Sequence, residues 1–212
     1  MNKDYRNTKY CPVLTDLVKK KKAVKKQVLS DHPKATDLHT YISDNNGPYK
    51  NSFMRAYNGK CAYCGVSIDV ISRQSFEIDH FIHQKSSRFN GSKAAAGYIE
   101  NLVLACHNCN HKKLDMAVPD EMFVFLHPDS DYITKSFVRD EQYYIRVSTE
   151  MKDNTVVQQF YEKLNLGAQI HRIDYLLMSM KGLNARMADK PDVTGKLSKA
   201  IELLQTRRNL MG

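Results

Sequence analysis

No apolar run in this 212-residue chain approaches the length of a membrane span, and Met1 to Arg6 lack the apolar stretch of a secretory leader. The expectation is a soluble, cytoplasmic protein with no membrane partner. Acidic residues are scarce: 23 Asp and Glu stand against 32 Lys and Arg, giving a net charge of +9 and a pI near 9.2. That balance suits a polyanion, most commonly nucleic acid, although charge alone also serves solubility. An even set of cysteines is missing too. Of five, four fall into Cys61-x-x-Cys64 and Cys106-x-x-Cys109, and Cys11 is left over. This argues against a disulfide framework and for metal binding in a reducing compartment. No internal repeat is visible. The composition is 42% apolar, as in globular chains, and the length is enough to bury a core.

Residues 1–50 read as a basic, mostly helical N-terminal arm. Leu17, Val24, Val28 and Leu29 recur near helical spacing, with Lys19 to Lys22, Lys25 and Lys26 around them. Such a lysine run is either a solvated face or a grip on phosphates. A turn cluster from Asp44 to Pro48 marks a boundary. Residues 51–120 form the core, with a short helix at 51–57, a strand at 75–82, a Ser/Gly/Ala-rich loop at 84–97 and a helix from Asn110 to Met116. Residues 121–212 read as strands and then helices, suited to docking a partner. The strand-like pieces are Met122 to Leu126, Tyr132 to Val138 and Tyr143 to Val147. The helices are Thr155 to Leu164, Ala168 to Leu183 and Thr194 to Leu210. Gly167 reads as a C-cap and Pro191 as a break. The fold class is α+β.

Two Cys-x-x-Cys turns suit one tetrahedral zinc held by Cys61, Cys64, Cys106 and Cys109. Four thiolates fill its sphere, so this zinc is expected to be structural. The alternatives are unmetallated buried thiols or a redox pair, and His107 is a substitute ligand that the regular spacing disfavours. Asp79-His80 lies between the pairs. Neighbours on a strand point to opposite sides, so the two divide the labour: Asp79 on a cation, His80 facing a water. Asn110, directly after the last Cys, can bring an amide oxygen to the same cation. A carboxylate, an amide and waters make a hard oxygen site for Mg²⁺ or Mn²⁺, with vacancies for phosphate oxygens. His111 is an alternative ligand. His83 is a third ligand, a second base or a plain loop residue. Glu77 is either an outer support for Asp79 or a surface charge.

At these residues the stretch resembles the HNH endonucleases, whose fold is ββα-metal. The pattern Asp79-His80, Asn101-Leu102 and Cys106-x-x-Cys109-Asn110-x-x-Lys113 carries the resemblance over about a quarter of the chain. It implies metal-dependent hydrolysis of nucleic-acid phosphodiesters, most readily of DNA. His80 corresponds to the general base and Asp79 and Asn110 to the metal ligands. Asn101 corresponds to the residue that braces the loop and orients the histidine. Lys113 would sit near the phosphate or tie down the helix, and Lys85 and Lys112 are expected beside it as nucleic-acid-binding residues. The chain departs from the family pattern in having His83 where Pro often stands. A looser likeness, from Gly59 to Cys64, His80 to Lys85 and Lys163 to Gly167, is similar to HNH proteins of retron and Septu-type (PtuB-like) anti-phage systems. It implies phage defence beside an ATPase partner.

Two other readings compete: a zinc-stabilised nucleic-acid-binding module without catalysis, and a protein-interaction scaffold. Neither needs Asp79, His80 and Asn110 together. A single site of this kind cuts one strand, so double-strand cleavage requires either a homodimer or two successive nicks.

Overall fold

The computed structural model describes residues 4–211. The first helix, α1 (Leu17–Asp31), buries Leu17, Lys21, Val24 and Val28 along one face, while Lys19, Lys22 and Lys26 are exposed. Lys21 departs from the lysine pattern: its ammonium pairs with Asp129 and donates to the Glu100 carbonyl. Tyr57 donates to the other Asp129 oxygen at 2.7 Å, so the buried charge is fully partnered. Upstream of α1, Tyr5 donates to the Tyr63 carbonyl at 2.6 Å, and Arg6 donates to the carbonyls of Ala62 and Pro128 at 2.7 and 2.8 Å. This segment is therefore built into the core rather than projecting from it. Next come α2 (Leu38–Ile42), capped by the Asp37 side chain, and α3 (Pro48–Ala56), which starts on its proline.

The centre of the molecule is a ββα unit: β1 (Phe76–His80), the one-turn α4 (Lys93–Ala96), β2 (Leu102–Cys106) and α5 (His107–Lys113). The strands are antiparallel, with Phe76 opposite Cys106 and His80 opposite Leu102. Every residue of β2 is buried, which explains its unbroken apolar run. The Ser/Gly/Ala-rich connection is more ordered than its composition suggests, since it holds a 3₁₀ turn at Ser87–Phe89 as well as α4. The last helix of the unit starts three residues before Asn110, because the Cys106–Cys109 turn is itself its first turn. It ends at Leu114, where φ is 50°.

Residues 121–148 differ from expectation. Met122 to Leu126 is not a strand: a 3₁₀ turn leads into α6 (Phe123–Leu126), started by Pro119 and the acidic pair Asp120-Glu121. Tyr132 to Val138 divides between α7 (Ile133–Ser136) and β3 (Phe137–Arg139), and β3 pairs antiparallel with β4 (Ile145–Val147). A short continuous apolar run such as MFVFL carries no period, so buried helix and buried strand look alike in it.

The remaining helices are α8 (Thr155–Lys163), α9 (Gln169–Arg186) and α10 (Pro191–Asn209). Pro191 stands at the break between α9 and α10, where it starts α10. Gly167 is not the C-cap of α8; Asn165 takes the left-handed conformation there, with φ 50°. A Cβ at 167 would lie 2.1 Å from the Tyr161 hydroxyl, so a larger residue there would push that hydroxyl from the Ile145 carbonyl to which it donates. Helix α10 packs on α9 and is tied to it by Arg208 donating to Asp174 at 2.7 Å.

Candidate active site

Two knuckles bring the four paired cysteines together. The first turns at Gly65, whose amide donates to the Cys61 carbonyl, and the Cys61 amide donates to Val66. Gly65 has φ 83°, and a Cβ would lie 2.7 Å from the Arg6 backbone, so only glycine fits. Ala62 donates to Leu104 at 2.7 Å, which fastens this knuckle to β2. The second knuckle is the start of α5. All four thiols are buried and unoxidised, their sulfurs lie within 4.8 Å of one another, and Cys64 and Cys106 are 3.9 Å apart. Sulfurs about 2.3 Å from a tetrahedral zinc are about 3.8 Å from each other, so the cluster fits that ion.

Asp79, His80 and Asn110 border one cleft of about 440 Å³, together with His83, Lys85 and His111. A larger cleft of about 1140 Å³ lies between the start of α1 and residues 128–135 and contains none of the motif residues. Asp79 is buried. Its Oδ2 accepts from the Tyr63 hydroxyl at 2.6 Å and lies 3.3 Å from the Lys113 ammonium; its Oδ1 has no hydrogen-bond partner among the described residues. Burial pushes the Asp79 carboxyl up to about 6, against the pull of Lys113 and Tyr63, so it is largely ionised at neutral pH. Asn110 donates its Nδ2 to Glu77 at 2.5 Å, which leaves Oδ1 as the group it can offer. Together these atoms form a hard-oxygen donor set suited to a divalent cation.

His80 stacks on His39, with ring centroids 4.2 Å apart, and His39 Nε2 lies 3.1 Å from the Ile78 carbonyl. Burial, and after it the neighbouring His39, hold the His80 imidazole down to about 4, so it is neutral at cell pH. Asn101 is fully buried and clamps the chain just past His80: its Oδ1 accepts from the Ile82 amide at 2.8 Å, and its Nδ2 donates to the carbonyls of Ile82 and Ala96. Its side chain bonds only these backbone groups among the described residues.

Lys113 takes the second of its two expected places, tying down the helix. Only 1% exposed, it donates to the carbonyls of His80 and Phe81 at 3.0 and 3.3 Å and pairs with Asp79, so its ammonium is engaged inside the protein. Its place in the i+3 register of α5 points it under β1, where the ammonium satisfies carbonyls at the strand's end. Lys85 is exposed at the cleft, whereas Lys112 is half-buried outside it. His83 borders the cleft, and its Nδ1 accepts from the Lys85 amide. Tyr63 and His39 escaped the sequence reading. Tyr63 had a signal, since it lies inside the Cys61–Cys64 turn; a lone histidine in a different helix had none.

Residues 61–115 match the HNH endonuclease family model. The HNH domain is thus the ββα unit plus the first cysteine knuckle. A curated relative, Septu protein PtuB of Bacillus mycoides (strain KBAB4), is 31% identical over 100 residues, taking in 39% of this chain and 33% of the relative. The chain therefore spans about a third of that relative's length. No solved structure matches.

Proposed function

We propose that the protein is a divalent-metal-dependent HNH endonuclease that hydrolyses DNA phosphodiesters in an anti-phage defence system. The observation that carries the reading is the convergence of Asp79, His80 and Asn110 on one cleft open enough to admit a phosphate. The likeness to Septu protein PtuB supports the defence setting, and the resemblance to Septu-type HNH proteins adds an ATPase partner.

The neutral imidazole of His80 takes a proton from the attacking water, and the His39 ring stacked on it limits its rotation. Asn101 holds the turn after His80, so the imidazole stays at the mouth of the cleft. Asp79 and Asn110 hold the divalent cation, which supplies Lewis-acid neutralisation of charge on the scissile phosphate. Lys85 meets the DNA backbone at the rim. The four cysteines hold a structural zinc that anchors the first knuckle against β2. The overall positive charge gives mainly backbone contacts, which weaken steeply with salt.

The test is supercoiled plasmid incubated with purified protein and Mg²⁺ or Mn²⁺, with and without EDTA. Nicking that EDTA stops is the expected result. Binding without cutting, with the partner ATPase also present, would favour a non-catalytic module.

A further inference from the structure

Three side chains on the outer side of α5 belong neither to the four-cysteine cluster nor to the Asp79–Asn110 pair. His107 and His111 are four residues apart on α5, so they stand on one face, with ring centroids 3.8 Å apart. Glu77 on β1 lies beside them, its Oε1 2.7 Å from His107 Nδ1. Each of the three offers one ligand atom, and these atoms lie within 4.8 Å of one another. Both histidines are exposed and Glu77 is half-buried, so the group is open to solvent.

We propose that Glu77, His107 and His111 form a second cation site, for zinc or a metal of its class such as nickel or cobalt. Two imidazole nitrogens and one carboxylate oxygen are the donors such borderline ions prefer, whereas Mg²⁺ asks for an all-oxygen shell. Ligands at about 2.0–2.1 Å on a tetrahedral ion are about 3.4 Å apart, so the exposed rings need close by at most about 1.5 Å. Water completes the sphere. The site is distinct from the structural cluster, whose four thiols already make a full shell. It adjoins the cleft at His111, which borders both, whereas Glu77 and His107 do not line the cleft. The two sites communicate through Glu77, whose Oε2 holds the Asn110 amide while Oε1 faces His107.

The test uses the full chain without a histidine tag, dialysed so that only the tightly held cysteine-bound metal remains, and titrated with Zn²⁺ by calorimetry. Wild type is expected to take up one further equivalent. The His107→Ala/His111→Ala double variant should lose it, and His111→Gln alone should weaken it at least tenfold. Asp79→Ala should keep it. Far-UV circular dichroism and cysteine-bound zinc should be unchanged in the histidine variants, because both side chains are exposed. No further equivalent in wild type, or its retention in the double variant, would overturn the site. Loss in Asp79→Ala with retention in the histidine variants would assign the ion to the cleft instead, and would equally overturn it.

Discussion

Tyr63 donates a 2.6 Å hydrogen bond to Asp79, and in doing so joins the first cysteine knuckle to the cleft. Tyr63 lies between Cys61 and Cys64, so whatever orders that knuckle also sets the carboxylate. Tyr63→Phe keeps the ring and removes the donor. The expected loss is about 1.5–3 kcal/mol of stability, typical of a hydrogen bond to a charged group. Plasmid nicking should also need more Mg²⁺ for half-maximal rate, since Asp79 loses a group that favours its ionised form. Thermal melting and a Mg²⁺ titration measure both.

Lys113 and Lys85 separate structure from substrate contact. Lys113→Met leaves three carbonyls and the Asp79 carboxylate short of a partner inside the protein. Removing one side of such a buried pair costs about 3–5 kcal/mol, so the melting temperature should fall by about 10 °C. Lys85→Ala, at an exposed position, should leave melting unchanged and weaken DNA binding alike for all sequences. Its salt slope should drop by about 1.

Histidine burial sets the response to acid. His171 is buried with neither ring nitrogen hydrogen-bonded, and burial holds it down to about 4, as it does His127 and His80. A depressed imidazole contributes stability above about pH 6.5 that is lost as pH falls towards 4, because the unfolded chain takes the proton first. Asp79 and Asp174, raised to about 6 by burial, act in the opposite sense between about pH 6 and 4. Three histidines against two carboxyls leave a net loss on acidification. His171→Phe should be neutral or stabilising at pH 7, since an apolar ring replaces an unpartnered polar one. It should also flatten the fall in melting temperature between pH 6.5 and 4.5.

Much of the ββα unit is legible in the sequence, through Cys spacing for the knuckles and alternation for β1; β2 is expected only through the resemblance to a ββα-metal fold, because its unbroken apolar run displays no period. Asp79, His80 and Asn110 come into view from residue type and spacing, Asn101 only from the resemblance to the HNH endonucleases. Lys113 was open to two readings, and only packing under β1 decides that its ammonium meets carbonyls rather than phosphates. Residues 122–136 carry apolar runs too short to display a period, so tertiary burial chose helix where β-propensity suggested strand. The stacking of His39 on His80 and the Arg6 contact to the first knuckle join residues far apart in sequence and have no local trace.

The most direct test is plasmid nicking by His80→Ala in Mg²⁺, with zinc content and melting temperature measured on the same preparation. A general base contributes about 10²–10⁴-fold, so cleavage should fall by at least about 100-fold while zinc and melting stay as in wild type. Full cleavage by a clean His80→Ala preparation would contradict the assignment of the base and, with it, the reading of the cleft as an HNH active site.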